Sequence, residues 1–395
     1  MMRCVGTTVR GIRTPIIKEG DNLSEIVVSS VMQAAENENF NLKDRDIVAI
    51  TEAVVGISEG NYVTVDDIAK DLQTKFPSKE IGVVFPILSR NRFSMILKGI
   101  ARGMNKITIL LSFPSDEVGN NIMDDNKLEH SSFDLGSIIS EEEYYENFGD
   151  WLHPFTGVNM VDYYKDLCQK ENCEVQFVFS NKASEILNYT NDVLTCDIHT
   201  RYKTKESLKN KGANVYSLMD VLNAPIDNSG FNPKYGLLGS NKSTEERLKL
   251  FPKTGDTLVQ KIQALFKEKT GKTIEVMVYG DGAFKDPVGG IWELADPVVS
   301  PAYTSGLEGT PNEIKLKYVS DNKFADLKGN ELKDAIKNEI KQKQSNLKGQ
   351  NISLGTTPRK ITDLVGSLCD LTSGSGDKGT PVVLVQGYFD NLADD

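Results

Sequence analysis

The sequence predicts an α+β fold, with mixed sheets covered by helices. Three observations point there. Helix-period and strand-length apolar runs alternate through the first 113 residues, and the alternation resumes over 158–250. A helix followed by a strand then recurs twice, at 257–280 and at 361–389.

Taken in order, DNLSEIVVSSVMQAAEN (21–37) opens on an Asp or Asn cap candidate and carries apolar residues at helical spacing. DIVAITEAVV (46–55) reads as a buried strand, with a turn at GISEGN. VTVDDIAKDLQTKF (63–76) is a second helix, with Thr64 or Asp66 near its start. IGVVFPI (81–87) is a strand, RFSMILKGIARGM (92–104) a helix and KITILLSF (106–113) a strand. Residues 123–155 are acidic, aromatic and irregular, and read as an excursion from this rhythm. CEVQFVFS (173–180) and NDVLTCDI (191–198) are strands, and KESLKNKGANV is a helix and turn. TLVQKIQALFKEKTGK (257–272) is a helix and IEVMVYG (274–280) a strand. From there to residue 320 the chain is rich in Gly, Pro and Asp, as long functional loops are.

The chain has 395 residues, enough for a large core and for two or three domains. Its net charge of −11 argues against a nucleic-acid partner, which needs a basic surface to neutralise phosphates. No run is long and apolar enough to span a bilayer, and MMRCVGTTVRGIRTPII lacks a signal-peptide core, so a cytoplasmic location is expected. The five cysteines (Cys4, Cys168, Cys173, Cys196, Cys369) are scattered and odd in number, which suits reduced thiols rather than a disulfide framework.

Two acidic turns follow strands. LLSFPSDEVGNN puts Asp116 and Asn120 just past the strand at 106–113, and VMVYGDG puts Asp281 just past the strand at 274–280. Hard divalent cations that carry phosphates take one or two carboxylates plus phosphate oxygens, so one Asp on each loop is the minimum for a metal–nucleotide site. Asp is equally an ordinary turn residue. Only three histidines exist (His130, His153, His199), and TGKT at 270–273 lacks the upstream glycine of a Walker A loop. DIHTRYKTKE (197–206) is either an anion-gripping turn or a plain polar one.

Residues 372–387 read TSGSGDKGTPVVLVQG, and Gly374, Gly376 and Gly379 match G-x-G-x-x-G. A dinucleotide fingerprint needs a strand before those glycines and a helix after them. Here the helical run ITDLVGSLCDL comes first and the strand run PVVLVQGYF second, so this is no Rossmann fingerprint. Backbone amides in such a loop can still converge on an anion.

The order of these pieces resembles the coenzyme F420-0:L-glutamate ligase (gamma-glutamyl ligase) family. GIRTPIIKEGDNLSEIV (11–27) and LKDRDIVAITEAVVGISEGNYV (42–63) are similar to the family's opening. TGKTIEVMVYGDG (270–282), DLKGNEL (326–332) and the Gly374–Gly387 segment are similar to its later motifs. The resemblance implies a gamma-glutamyl ligase-like domain from 1–122 and 256–395, interrupted by an inserted αβ region at 123–255. It implies use of GTP (or ATP) with Mg2+ or Mn2+ to form an acyl-phosphate, on which the amine of L-glutamate attacks. The acceptor would be a small-molecule carboxylate, coenzyme F420-0 or a related molecule such as folate, and the protein a homodimer. Carried over by position, Thr14, Pro15, Ile16 and Ile17 would line the nucleotide and Asn120 would touch it. Gly374, Ser375, Gly376, Asp377 and Gly379 would form the phosphate loop, and Asp116 and Asp281 would share a metal. As exposed loop carboxylates, both could then be replaced by Ala without loss of fold. Ile57 stands where the family pattern has a phosphate-contacting lysine, which keeps a non-catalytic nucleotide-binding relative as an alternative. A metal-dependent phosphohydrolase using Asp116, Asp281 and His199 is a third reading.

Overall fold

A computed structural model describes residues 4–154, 156–280, 283–285, 292–294, 300–356, 359–373 and 377–394. Along the chain the first elements are β1 (Thr8–Ile12), α1 (Leu23–Asn37), β2 (Ile47–Thr51), α2 (Glu52–Ser58), β3 (Tyr62–Thr64) and α3 (Val65–Lys75). Next come β4 (Glu80–Val84), α4 (Phe93–Gly103), β5 (Lys106–Leu111), α5 (Asp125–Glu129), β6 (Ile139–Ser140) and α6 (Glu141–Phe148). They are followed by α7 (Met160–Lys170), β7 (Glu174–Phe179), β8 (Asp192–Thr195), α8 (Arg201–Lys209), β9 (Asn214–Ser217), β10 (Asn241–Thr244) and β11 (Arg247–Lys249). The chain ends through α9 (Gly255–Thr270), β12 (Glu275–Tyr279), β13 (Ala283–Lys285), β14 (Trp292–Leu294), β15 (Ala302–Tyr303), α10 (Leu316–Asn322), α11 (Gly329–Lys341), α12 (Ile361–Ser373) and β16 (Val382–Gln386). The α+β expectation holds.

Two large sheets organise the molecule. The five-stranded sheet has the order β1-β16-β2-β12-β15 and is mixed: β12 pairs with β2 in parallel, and the other pairings are antiparallel. Its strands are apolar on both faces, because both are covered. Val48, Ile50, Val276, Val278 and Leu384 pack under α1 and α9, against Val27, Val31, Ile262 and Phe266. The alternate residues Ile47, Ala49, Met277 and Val383 meet Val365 and Cys369 of α12 on the other face.

The six-stranded sheet has the order β6-β7-β5-β4-β8-β9, and all its pairings are parallel except that of β6 with β7. Ranked by position in the chain, its parallel strands run 3-2-1-4-5, the order of the first five strands of a doubly wound sheet. Helices α3, α4 and α7 cover one face; Leu208 of α8 and Ile186 cover the other. A small antiparallel sheet, β10-β11-β3, lies between the point where the chain enters this lobe and the point where it leaves.

Two expectations are corrected. The strand read over 46–55 ends at Thr51, and Glu52–Ser58 is helical. An acid at the first helical position favours that switch, since it faces the positive end of the helix dipole. The excursion at 123–155 contains α5, β6 and α6, the last with a full capping box between Ser140 and Glu143. The region expected as an insertion at 123–255 shares its sheet with residues before it. β4 and β5 precede residue 122, yet they form the centre of the sheet that β7, β8 and β9 complete. One apolar cluster runs from Val63 to Phe251. The second lobe therefore spans residues 62–251.

Candidate functional site

Parallel pairing of β2 with β12 places both carboxyl ends at one edge of the five-stranded sheet. Antiparallel pairing of β16 with β2, and of β1 with β16, brings the start of β16 and the end of β1 to that same edge. Four sequence-distant segments therefore meet there. Thr14 N donates to Gly379 O at 3.3 Å, and Thr51 N donates to Pro381 O at 3.0 Å. A side chain at Gly11 would press on Thr380, with a Cβ only 3.1 Å from the Thr380 Cβ, so the small residue lets the two chain ends close. Ser300 Oγ donates to Val278 O at 2.9 Å and ties residue 300 to the end of β12.

Of the residues expected at a nucleotide, Thr14, Pro15, Asp377 and Gly379 lie on this edge, the last three exposed. Ile16 is 87 % exposed, whereas Ile17 is buried and belongs to the core under α1. Ile17 thus anchors the loop and leaves Ile16 to face solvent. Gly374, Ser375, Gly376 and Asp281 lie outside the described residues.

Asp116 and Asn120 are found elsewhere, in the turn after β5 of the six-stranded sheet. The Asp116 carboxylate is buried and accepts four hydrogen bonds. Val118 N (3.0 Å) and Asn120 N (2.9 Å) reach Oδ1; Leu88 N (2.9 Å) and Asn120 Nδ2 (2.8 Å) reach Oδ2. Those donors fill the lone-pair sites of the carboxylate. Burial pushes its pKa up to about 6 despite them. As placed, Asp116 does not fit a metal-ligand role, because an ion would have to displace backbone donors, and Asn120 has already spent its amide on Asp116. The expectation that Asp116 is an exposed loop carboxylate is corrected: it is the knot of its own turn. Among the described residues no group of three or more His, Cys, Asp or Glu could hold a metal.

His199 sits at the start of α8, with its backbone N–H and that of Ile198 held by Glu117. Asp197 beside it is buried, and its Oδ2 accepts from Thr200 and Thr204 at 2.6 Å each. Asp281, the third residue of the hydrolytic reading, lies outside the described residues.

Sequence reasoning missed one pair at the candidate edge. Glu52, first residue of α2, forms a buried ion pair with Lys249 of β11. It joins the edge of the five-stranded sheet to the second lobe. The available signal was a lysine standing between Leu248 and Leu250, both fully buried. Below it, Glu59 accepts from Lys253 N (2.8 Å) and Thr254 N (3.1 Å) and secures the entry into α9.

In this α+β protein the edge thus gathers loops from both chain ends. The family described as F420-0:gamma-glutamyl ligase matches residues 11–387, and the chain belongs to that family. No match was found among curated proteins. Among the described residues, no helix is long and apolar enough to cross a membrane.

Proposed function

We propose that this member is a nucleotide-dependent amide ligase that adds L-glutamate to the γ-carboxylate of a cofactor-like acceptor through an acyl-phosphate. The observation that supports it is the meeting of Thr14 with Gly379, and of Thr51 with Pro381, at one sheet edge. In this reading the exposed 14–16 segment covers the nucleotide, and the backbone amides of the 374–380 turn receive its phosphates. Such chemistry asks little of protein acids and bases, and the three histidines of the chain are consistent with that. A divalent cation, Mg2+ or Mn2+, would offset phosphate charge. Its ligands are sought at Asp281 and not at Asp116, whose oxygens are committed.

The test is an incubation of the protein with GTP or ATP, Mg2+ or Mn2+, glutamate, and either coenzyme F420-0 or folate. Nucleoside diphosphate formed together with a glutamylated product supports the proposal. Nucleotide binding by calorimetry without turnover under any of these conditions favours the non-catalytic relative, for which Ile57 is the motive. Phosphate release without glutamate would point to hydrolysis instead.

A further inference from the structure

Helix α7 reads MVDYYKDLCQK, and its helical period makes two stripes of it. Met160, Val161, Tyr164 and Cys168 are buried in the core of the six-stranded lobe. Beside them Tyr163, Asp166, Leu167 and Lys170 form a second stripe, again at steps of three and four residues. That stripe borders a hollow of about 290 Å³, closed by Ser94, Met95 and Lys98 of α4 and by the β10–β11 hairpin. None of its lining comes from the five-stranded sheet. The volume is about twice the roughly 150 Å³ that takes up benzene.

Most charges around the hollow are already matched. Lys98 pairs with Glu246, and its Nζ also donates to Glu245 O at 2.9 Å. Both Glu171 oxygens accept from Arg102, at 2.8 and 3.1 Å. Lys242 pairs with Glu245. Asp166, Lys170 and the Tyr163 hydroxyl are different: among the described residues none of them has a side-chain hydrogen bond or an ion pair. Asp166 and Lys170 are exposed and stand four positions apart on α7, so one ligand can reach both. Tyr163 lies one turn before them. Buried Met95 and half-buried Leu167 supply apolar surface beside these groups.

The lining as a whole carries three lysines (98, 170 and 242) and three acids (166, 171 and 245). Such a balance gives no net attraction to an anion or a cation. It favours a ligand that carries one charge of each sign close together.

We infer that this hollow binds a free α-amino acid with an apolar side chain. Its ammonium group meets Asp166, its carboxylate meets Lys170 and the Tyr163 hydroxyl, and its side chain lies on Met95 and Leu167. Nothing in this inference depends on the ligase reading.

L-Leucine is the probe. Methionine and leucine methyl resonances of the intact protein are followed by NMR while leucine is added to low-millimolar levels. The methyls of Met95 and Leu167 should shift together and saturate, while those of Met32 and Leu354 stay still. Two relatives of leucine each lack one charge: 4-methylpentanoate has no ammonium group and isoamylamine has no carboxylate. Each should bind several-fold more weakly, by the loss of one charge-assisted contact. Asp166→Asn and Lys170→Gln change exposed side chains, so both proteins should keep the parent melting temperature. Each should bind leucine several-fold more weakly. Asp166→Asn should leave the affinity for 4-methylpentanoate unchanged, because that ligand has nothing to offer the carboxylate. If the two methyls do not move, or either relative binds as tightly as leucine, the inference is wrong. A variant that binds leucine as tightly as the parent also overturns it.

Discussion

The six-stranded sheet is built from one continuous stretch, 80–217, whereas the five-stranded sheet draws strands from residues 8–12, 47–51, 275–279, 302–303 and 382–386. The six-stranded lobe closes its contacts within that one stretch. The five-stranded lobe must bring the two ends of the chain together before β1 can pair with β16. Loops from remote positions therefore meet only at the five-stranded edge. The contiguous lobe instead offers a hollow between its own helices and hairpin. Family motifs concentrate on the discontinuous sheet, and the doubly wound strand order appears on the other, where FPILSRNR after β4 contains no glycine.

The largest effect is expected where the lobes join. Lys249→Met removes the ammonium partner of the buried Glu52 carboxylate, and breaking such a pair costs about 3–5 kcal/mol. Urea unfolding should show that loss, with the single transition splitting as the lobes uncouple. An unchanged midpoint would mean that Asn61 carries the junction alone; its amide donates to Phe231 O and Phe251 O at 3.0 and 2.8 Å.

Next comes Asp116→Ala, which strips acceptors from Leu88 N, Val118 N and Asn120 N and should cost about 2–4 kcal/mol. The same group gives a pH signature with a definite sign. Its carboxyl titrates near 6, above its ordinary value of 3.8, so the folded state holds the proton more tightly than the unfolded one. The stability it contributes is present below pH 4 and falls away as pH rises through 6, by at most about 3 kcal/mol. Wild-type and Asp116→Ala stabilities, measured by denaturant from pH 4 to 7, should differ in slope in that window. Parallel curves would remove Asp116 as the titrating group. Thr64→Ala is smaller. It deletes one half of the capping box at α3, where Asp67 N donates to Thr64 Oγ1 at 3.1 Å, and should cost about 1 kcal/mol.

These differences explain what could be read in the sequence. The helices at 21–37, 63–76, 92–104 and 257–272, and the strands at 81–84 and 106–111, follow from apolar periodicity, because each is buried on faces that its own spacing defines. Strand pairing between residues up to 378 positions apart (Thr8 with Gln386) has no local signal, and β1, with Arg10 and Gly11 in its middle, lacks a strand-like apolar run. That sheet became legible only through ordered motifs. Asp116 was visible as a residue but misjudged as a role, since sequence shows an acid in a turn and not the four donors folded around it. Lys249 was invisible as a partner because Glu52 lies 197 positions away.

The smallest effect on stability should come from Ile16, and it separates the two lobes most sharply. A side chain that is 87 % exposed contributes almost nothing to folding, so Ile16→Ser should stay within about 0.5 kcal/mol of wild type. Yet Ile16 sits between Pro15, at the edge where Thr14 meets Gly379, and Ile17, which the core holds in place. An apolar side chain fixed there from behind is suited to cover the flat face of a base. If the edge is the nucleotide site, Ile16→Ser should weaken GTP or ATP several-fold in calorimetry, while Asp116→Ala, measured in conditions where it is folded, leaves nucleotide affinity unchanged. The reverse pattern, with Asp116→Ala losing nucleotide and Ile16→Ser keeping it, would move the site to the six-stranded lobe and undo the assignment of the edge.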